Sequence, residues 1–220
     1  MTNDEVRMTK AEKQAALEKL HKQIEKLDLP LKTAASRLVP GEGNPEAEVV
    51  FVGEAPGAEE DKQGRPFVGA AGKFLNQLIE GIGWKREDVY IANLIKHRPP
   101  NNRDPLPVEI SAYTPWLDKQ IEIIQPKLIV TLGRYSMAYF LGEGMSITKI
   151  HGQPKRKKGK VVMPMYHPAA ALYRGDLRPV LAADFKKIPK VLEMVKAGKV
   201  EEPQPAAAKG FDEAKQKSLL

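Results

Sequence analysis

Three stretches of this 220-residue chain hold residue types that chemistry needs. The first is Gly53-Glu54-Ala55-Pro56-Gly57, followed by Glu59, Glu60 and Asp61. Its carboxylates could orient a water or stabilise a developing positive charge. The second is Asn93, whose carboxamide can accept and donate hydrogen bonds side by side. The third is His167-Pro168, where the imidazole could donate, accept or carry a proton. A lone aromatic, Phe67, sits in Gly64-Arg65-Pro66-Phe67-Val68-Gly69, and the surrounding glycines and proline argue for a loop. Singly, each signal is weak. A lone histidine is more often structural, and an asparagine after a strand is more often a cap or turn.

The elements that carry these groups strengthen them. Residues 49–52, 89–95, 128–133 and 161–165 read as strands, each a nearly continuous apolar run suited to a sheet covered on both faces. Helical patterns fall between and around them, over residues 70–82, 107–124, 136–141 and 181–195. Strands alternating with helices predict an α/β fold: three layers, α/β/α, around a central, mainly parallel four-stranded sheet. In such a sheet all strands end on one edge, and ligands bind in the crevice beyond it. Glu54, Asn93 and His167 each follow a strand end, so the three groups converge there.

Three units are expected. Residues 1–28 form an amphipathic helix packed on the domain, with Leu17, Leu20, Ile24 and Leu27 at helical spacing and Pro30 beyond its end. Residues 29–197 form the main domain. Residues 198–220 are a polar tail, expected to be disordered.

Composition narrows the partners. The formal net charge is +7 and the pI about 9.4, which suits an anionic partner, nucleic acid above all. The other reading is a basic solvated surface with no partner. The Gly-rich turn at 53–57 lacks the Lys-Ser/Thr of a phosphate-binding P-loop and the glycine spacing of a dinucleotide fold, and its acidic residues would repel phosphate, so no nucleotide cofactor is expected. With no cysteine there is no disulfide and no thiolate metal site, and with four scattered histidines a zinc site is not expected. No run approaches the ~20 apolar residues of a membrane span, and no apolar leader is evident, so a cytoplasmic protein is expected.

Several motifs in one order carry a more specific signal. They are Pro40-Gly41-Glu42-Gly43-Asn44-Pro45, Gly53-Glu54-Ala55-Pro56-Gly57 with Glu59-Glu60-Asp61, and Gly64-Arg65-Pro66-Phe67-Val68-Gly69. Asn93 with Lys96, Arg98-Pro99-Pro100-Asn101-Asn102-Arg103, residues 125–133 and His167-Pro168-Ala169 complete the set. With these, roughly residues 25 to 195 resemble the family 4 uracil-DNA glycosylases. The resemblance implies a monomeric enzyme that hydrolyses the N-glycosidic bond of deoxyuridine in DNA by base flipping, leaving an abasic site in base excision repair. It implies Phe67 as the stacking platform, Asn93 as the reader of the uracil edge and His167 beside uracil O2. Backbone near Gly53 would approach the base. Glu54 is the first candidate to position water or stabilise the sugar, with Glu60 and Asp61 second or capping the next turn. Lys96, Arg98, Arg103, residues 155–160 and Arg174 become candidate phosphate contacts. For 155–160 a solvated hairpin turn stays equally open. Leu172, Tyr173 or Arg174 would fill the space of the flipped base.

One departure stands out. The family holds a [4Fe-4S] cluster on four cysteines, whose positions fall here on Lys26, Leu29, His97 and Tyr113. Lysine and leucine cannot ligate it. No cluster is expected, and packing by Leu27, Leu29 and Tyr113 should replace it. His97 is expected to be packed or hydrogen-bonded rather than a nucleophile. Two other readings remain: a DNA-binding module that kept the fold without catalysis, and a glycosylase for other deaminated bases.

Overall fold

The computed structural model describes residues 8–200. Residues 1–7 of the expected N-terminal unit and 201–220 of the expected tail lie outside the described residues.

Helix α1 (Lys10–Lys26) begins at Thr9, whose side chain accepts from Glu12 N–H while the Glu12 carboxylate accepts from Thr9 N–H. This reciprocal cap satisfies two N–H groups that the first turn leaves open. The chain then forms β1 (Glu42–Gly43), β2 (Val49–Gly53), α2 (Ala58–Gln63), α3 (Ala70–Glu80) and β3 (Tyr90–Asn93). It continues through α4 (Pro107–Ile124), β4 (Leu128–Leu132), α5 (Arg134–Leu141) and α6 (Ile147–Ile150). The last elements are β5 (Lys155–Lys157), β6 (Lys160–Met165), α7 (Pro168–Tyr173), α8 (Leu177–Phe185) and α9 (Ile188–Lys196).

The sheet has six strands, in the order β1-β3-β2-β4-β6-β5. The four expected strands are its parallel centre, β3-β2-β4-β6. The expected count of four is too low because a short antiparallel strand closes each edge, β1 on β3 and β5 on β6. Neither edge strand has a sequence signal. Glu42–Gly43 lies in a turn-rich segment, and Lys155–Lys157 is a run of like charges. The basic segment 155–160 is therefore a hairpin around Lys158 and Gly159, with Lys157 Nζ donating to Leu141 O.

Alternation along the strands sends side chains to two cores. One face carries Val49, Phe51, Ile91, Val130 and Met163 beneath Leu75 and Ile79 of α3, Phe185 of α8 and Val191 of α9. The other carries Val50, Val52, Ala92, Ile129 and Val162 beneath Leu117 and Ile121 of α4, Met137 of α5 and Leu17 of α1. The expected closing helix over 181–195 is two helices. Pro189 takes the second position of α9, where its missing N–H costs no hydrogen bond. The core also extends past 197. Val200 is buried, and its carbonyl accepts from Arg156 Nε at 2.6 Å.

Candidate active site

The carboxyl ends of β2, β3 and β6 and the loops beyond β3 and α2 enclose a cavity of about 480 Å³. Its lining includes Glu54, Glu60, Phe67, Asn93, His167 and Tyr173. These residues lie up to 119 positions apart, and the parallel sheet brings them to one edge because β2, β3 and β6 all run the same way.

Asn93 is the last residue of β3, 1 % exposed, and its Oδ1 has no hydrogen-bond partner in the described structure. An unpaired buried acceptor costs about 1–3 kcal/mol, so this atom is either strained or waiting for a donor. Gly53 lies directly beside it across the β2–β3 ladder. A methyl at Gly53 would overlap Asn93 Oδ1 and come within 2.6 Å of Phe67 Cζ. Only glycine keeps this floor open.

Phe67 has a left-handed backbone, with φ of 51°, an uncommon conformation for a bulky residue. Polar groups hold it there. Arg86 donates from Nη1 to Phe67 O at 3.2 Å and from Nη2 to Pro66 O at 2.5 Å. Glu42 in turn accepts from Arg86 and from Arg65. On the other side Glu60 Oε1 accepts from Val68 N–H at 2.9 Å and Gly69 N–H at 2.8 Å. The result sets the Phe67 ring 5.6 Å from the His167 ring, centroid to centroid, with 30° between their planes.

His167 caps α7. Its Nδ1 accepts from Ala169 N–H at 3.1 Å. Burial pushes its pKa down to about 4, so the ring is neutral near pH 7. A neutral imidazole that accepts at Nδ1 carries its proton on Nε2. The free position is thus a donor.

Glu54 lines the same cavity, and burial is the main cause that raises its pKa to about 7, with the charge of Asp104 adding to it and Arg134 opposing it. A group poised there can accept or hold a proton at neutral pH. Glu60 is committed to the Phe67 loop. Asp61 does not line the cavity: it is buried, and its Oδ1 accepts from Ser36 and Arg37 N–H at 2.8 and 3.1 Å. It fixes a turn, and its candidacy for water or sugar ends with that.

The candidate DNA contacts divide. Tyr173 is 90 % exposed at the cavity mouth, Leu172 is exposed beside it, and Arg174 is exposed and paired with Asp176 at 2.8 Å. Arg103 lines the rim and pairs with Glu109, while Arg98 donates to Asn102 Oδ1 at 2.7 Å. Lys96 is a correction. It is fully buried, with Nζ donating to Asn93 O at 2.8 Å and Gln120 Oε1 at 2.7 Å. It cannot reach a phosphate. The sequence reading gave Glu42 no role beyond its motif and passed over Arg86, Gln120 and His21. Their partners are distant in sequence, so no local pattern marks them.

The four positions aligned with cluster ligands do not suit a cluster. Lys26 is exposed at the end of α1. Leu29 and Tyr113 pack with Leu20, Ile24, Leu31 and Ile95 in a buried apolar group, with Leu27 against it. His97 is buried, and its Nδ1 lies 2.8 Å from Tyr113 Oη. That hydrogen bond joins the loop after β3 to α4, in addition to the apolar packing expected. Among the described residues no group of three or more His, Cys, Asp or Glu could hold a metal ion, and no helix is long and apolar enough to cross a membrane.

The chain is similar to known proteins over most of its length. The uracil DNA glycosylase superfamily matches residues 40–192. The type-4 uracil-DNA glycosylase of Sulfurisphaera tokodaii is 58 % identical over 159 residues, covering 68 % of this chain and 72 % of that protein. That of Saccharolobus solfataricus is 50 % identical over 167 residues, covering 70 % and 76 %. That of Archaeoglobus fulgidus is 50 % identical over 159 residues, covering 68 % and 79 %. This chain belongs to the uracil-DNA glycosylase superfamily, in its type-4 family.

Proposed function

We propose that the protein is an enzyme that excises uracil from DNA and acts as a monomer without an iron–sulfur cluster. The observation that carries this reading is the unpaired, buried Asn93 Oδ1 in a cavity walled by Phe67 and a neutral His167. Uracil supplies what the cavity lacks. Its N3–H would donate to Asn93 Oδ1, and its O4 would accept from the Asn93 amide N–H. Cytosine presents the opposite pattern at those two atoms, so a fixed amide disfavours it. The flipped ring would lie along Phe67, and base–aromatic stacking contributes about 1–3 kcal/mol.

As the bond from C1′ to N1 breaks, the electron pair leaves with the uracil, and negative charge grows on its O2. The Nε2–H of His167 would donate there, and a donor aimed at developing charge stabilises the transition state more than the ground state. Water attacks C1′ and loses a proton as the new C1′–O bond forms. Glu54 in its charged form would orient that water, accept the proton and stabilise the positive sugar. The proton finally neutralises the uracil anion. Tyr173 would occupy the gap left in the stack.

The test uses an oligonucleotide with one deoxyuridine, followed by alkali. Cleavage at that position is expected with pure, iron-free protein. Its absence, with tight binding retained, would favour a binding module. A panel with hypoxanthine and xanthine tests the broader glycosylase reading.

A further inference from the structure

We infer that Lys96 is a positioning residue for uracil recognition, through a buried chain of hydrogen bonds that runs from α1 to the Asn93 main chain. The inference rests on the reading of Asn93 as the group that recognises the base.

Strand β1 pairs only with Tyr90 and Ile91 of β3, so the end of β3 lacks a strand neighbour on that edge. On the other edge, Leu94 N–H donates to Gly53 O and Ile95 N–H to Glu54 O. The Asn93 carbonyl is served instead by Lys96 Nζ at 2.8 Å. The same amine donates to Gln120 Oε1 at 2.7 Å. The Gln120 amide then donates to Pro40 O at 2.8 Å and sits 3.1 Å from His21 Nε2 and 3.3 Å from Tyr90 Oη. Burial lowers the His21 pKa to about 4, so its ring is neutral near pH 7 and can accept.

A fully buried lysine with no carboxylate partner among the described residues is destabilising in a core. An apolar residue would avoid the desolvation but would leave Asn93 O and Gln120 Oε1 without this donor. Burial lowers the Lys96 pKa to about 7, and the neutral amine still has the two hydrogens that both bonds need. The arrangement therefore fixes the turn from Asn93 to Lys96 against α4, and with it the direction of the Asn93 carboxamide. Small displacements matter at such a site, since about 1 Å of misplacement can lower a rate about a hundredfold.

The experiment compares wild type with Lys96→Met, Gln120→Leu and Asn93→Asp. For each, kcat and KM on a deoxyuridine oligonucleotide, the inhibition constant of free uracil and the folded fraction by circular dichroism are measured. For Lys96→Met, kcat should fall at least about tenfold and the uracil constant should rise by a similar factor, with KM changed less than about twofold because phosphate contacts dominate DNA affinity. A purely structural role would lower the folded fraction and the apparent kcat but leave the uracil constant unchanged. That result in folded Lys96→Met overturns the inference. If Lys96→Met does not fold, Gln120→Leu decides: a raised uracil constant supports the chain of bonds, and a wild-type constant overturns it. A wild-type uracil constant in Asn93→Asp would instead remove Asn93 as the base reader, and the inference with it.

Discussion

The Phe67 ring faces the His167 ring at 5.6 Å, and the Phe67 main chain is held in a left-handed conformation by Arg86. Two residues 100 positions apart thus meet in the wall of the cavity that holds the unpaired Asn93 Oδ1. Phe67→Leu keeps most of the apolar volume but removes the π face. The stacking contribution of about 1–3 kcal/mol implies a fall in kcat/KM of about 5- to 160-fold. Steady-state kinetics on a deoxyuridine oligonucleotide checks this, and an unchanged value would place the base elsewhere.

Asn93→Asp replaces an amide donor by a carboxylate that repels uracil O4. His167→Ala removes the Nε2–H donor. Loss of one aimed donor typically lowers kcat about 10²–10³-fold. Both variants should bind abasic or undamaged DNA nearly as wild type does, which a fluorescence anisotropy titration measures.

The pH dependence has two signs. If charged Glu54 assists water, kcat should rise with pH through about 7, the value to which burial raises its pKa. His167 contributes no step in that range because it stays neutral above about 4. Stability moves the other way. A carboxyl whose folded pKa exceeds its unfolded value binds its proton more tightly when folded, so its contribution is present below about 4.5 and lost as pH rises through about 7. Glu54→Gln should flatten both trends. Rate profiles and melting curves from pH 5 to 8 read them separately.

Tyr173 is 90 % exposed, so Tyr173→Ala should leave the melting temperature unchanged. If it fills the gap behind a flipped base, its removal should slow duplex cleavage about tenfold and single-strand cleavage much less, because an unpaired base costs least to extrude. Equal slowing on both substrates would argue against the wedge.

At the aligned cluster positions, Tyr113→Phe removes the partner of His97 Nδ1. Leaving a buried polar atom unpaired costs about 1–3 kcal/mol, so the melting temperature should drop by several degrees while kcat stays within about twofold. No change on melting would mean that apolar packing by Leu29 and its neighbours suffices. Elemental analysis of the purified protein should find no stoichiometric iron.

The sequence by itself determined the four parallel strands, because apolar runs and their flanking turns are local signals. It also determined which residue types meet at the carboxyl edge, since parallel strands end on one side whatever the details of packing. Glu54, Asn93 and His167 were legible for that reason, and Phe67 through the family resemblance of its loop motif. Only the tertiary structure decided how these groups are held and in what state. Lys96 reads as a surface cation beside a basic loop, yet its amine is spent on Asn93 O and Gln120 Oε1. Asp61 reads like its neighbours Glu59 and Glu60, yet its place on α2 aims it at Ser36 and Arg37 and not at the cavity that Glu60 lines. The edge strands, the Arg86–Glu42 support of Phe67 and the proton position on His167 were equally hidden. Periodicity reports which face a residue takes. Hydrogen-bond partners and proton affinity depend on atoms that only the folded chain brings together.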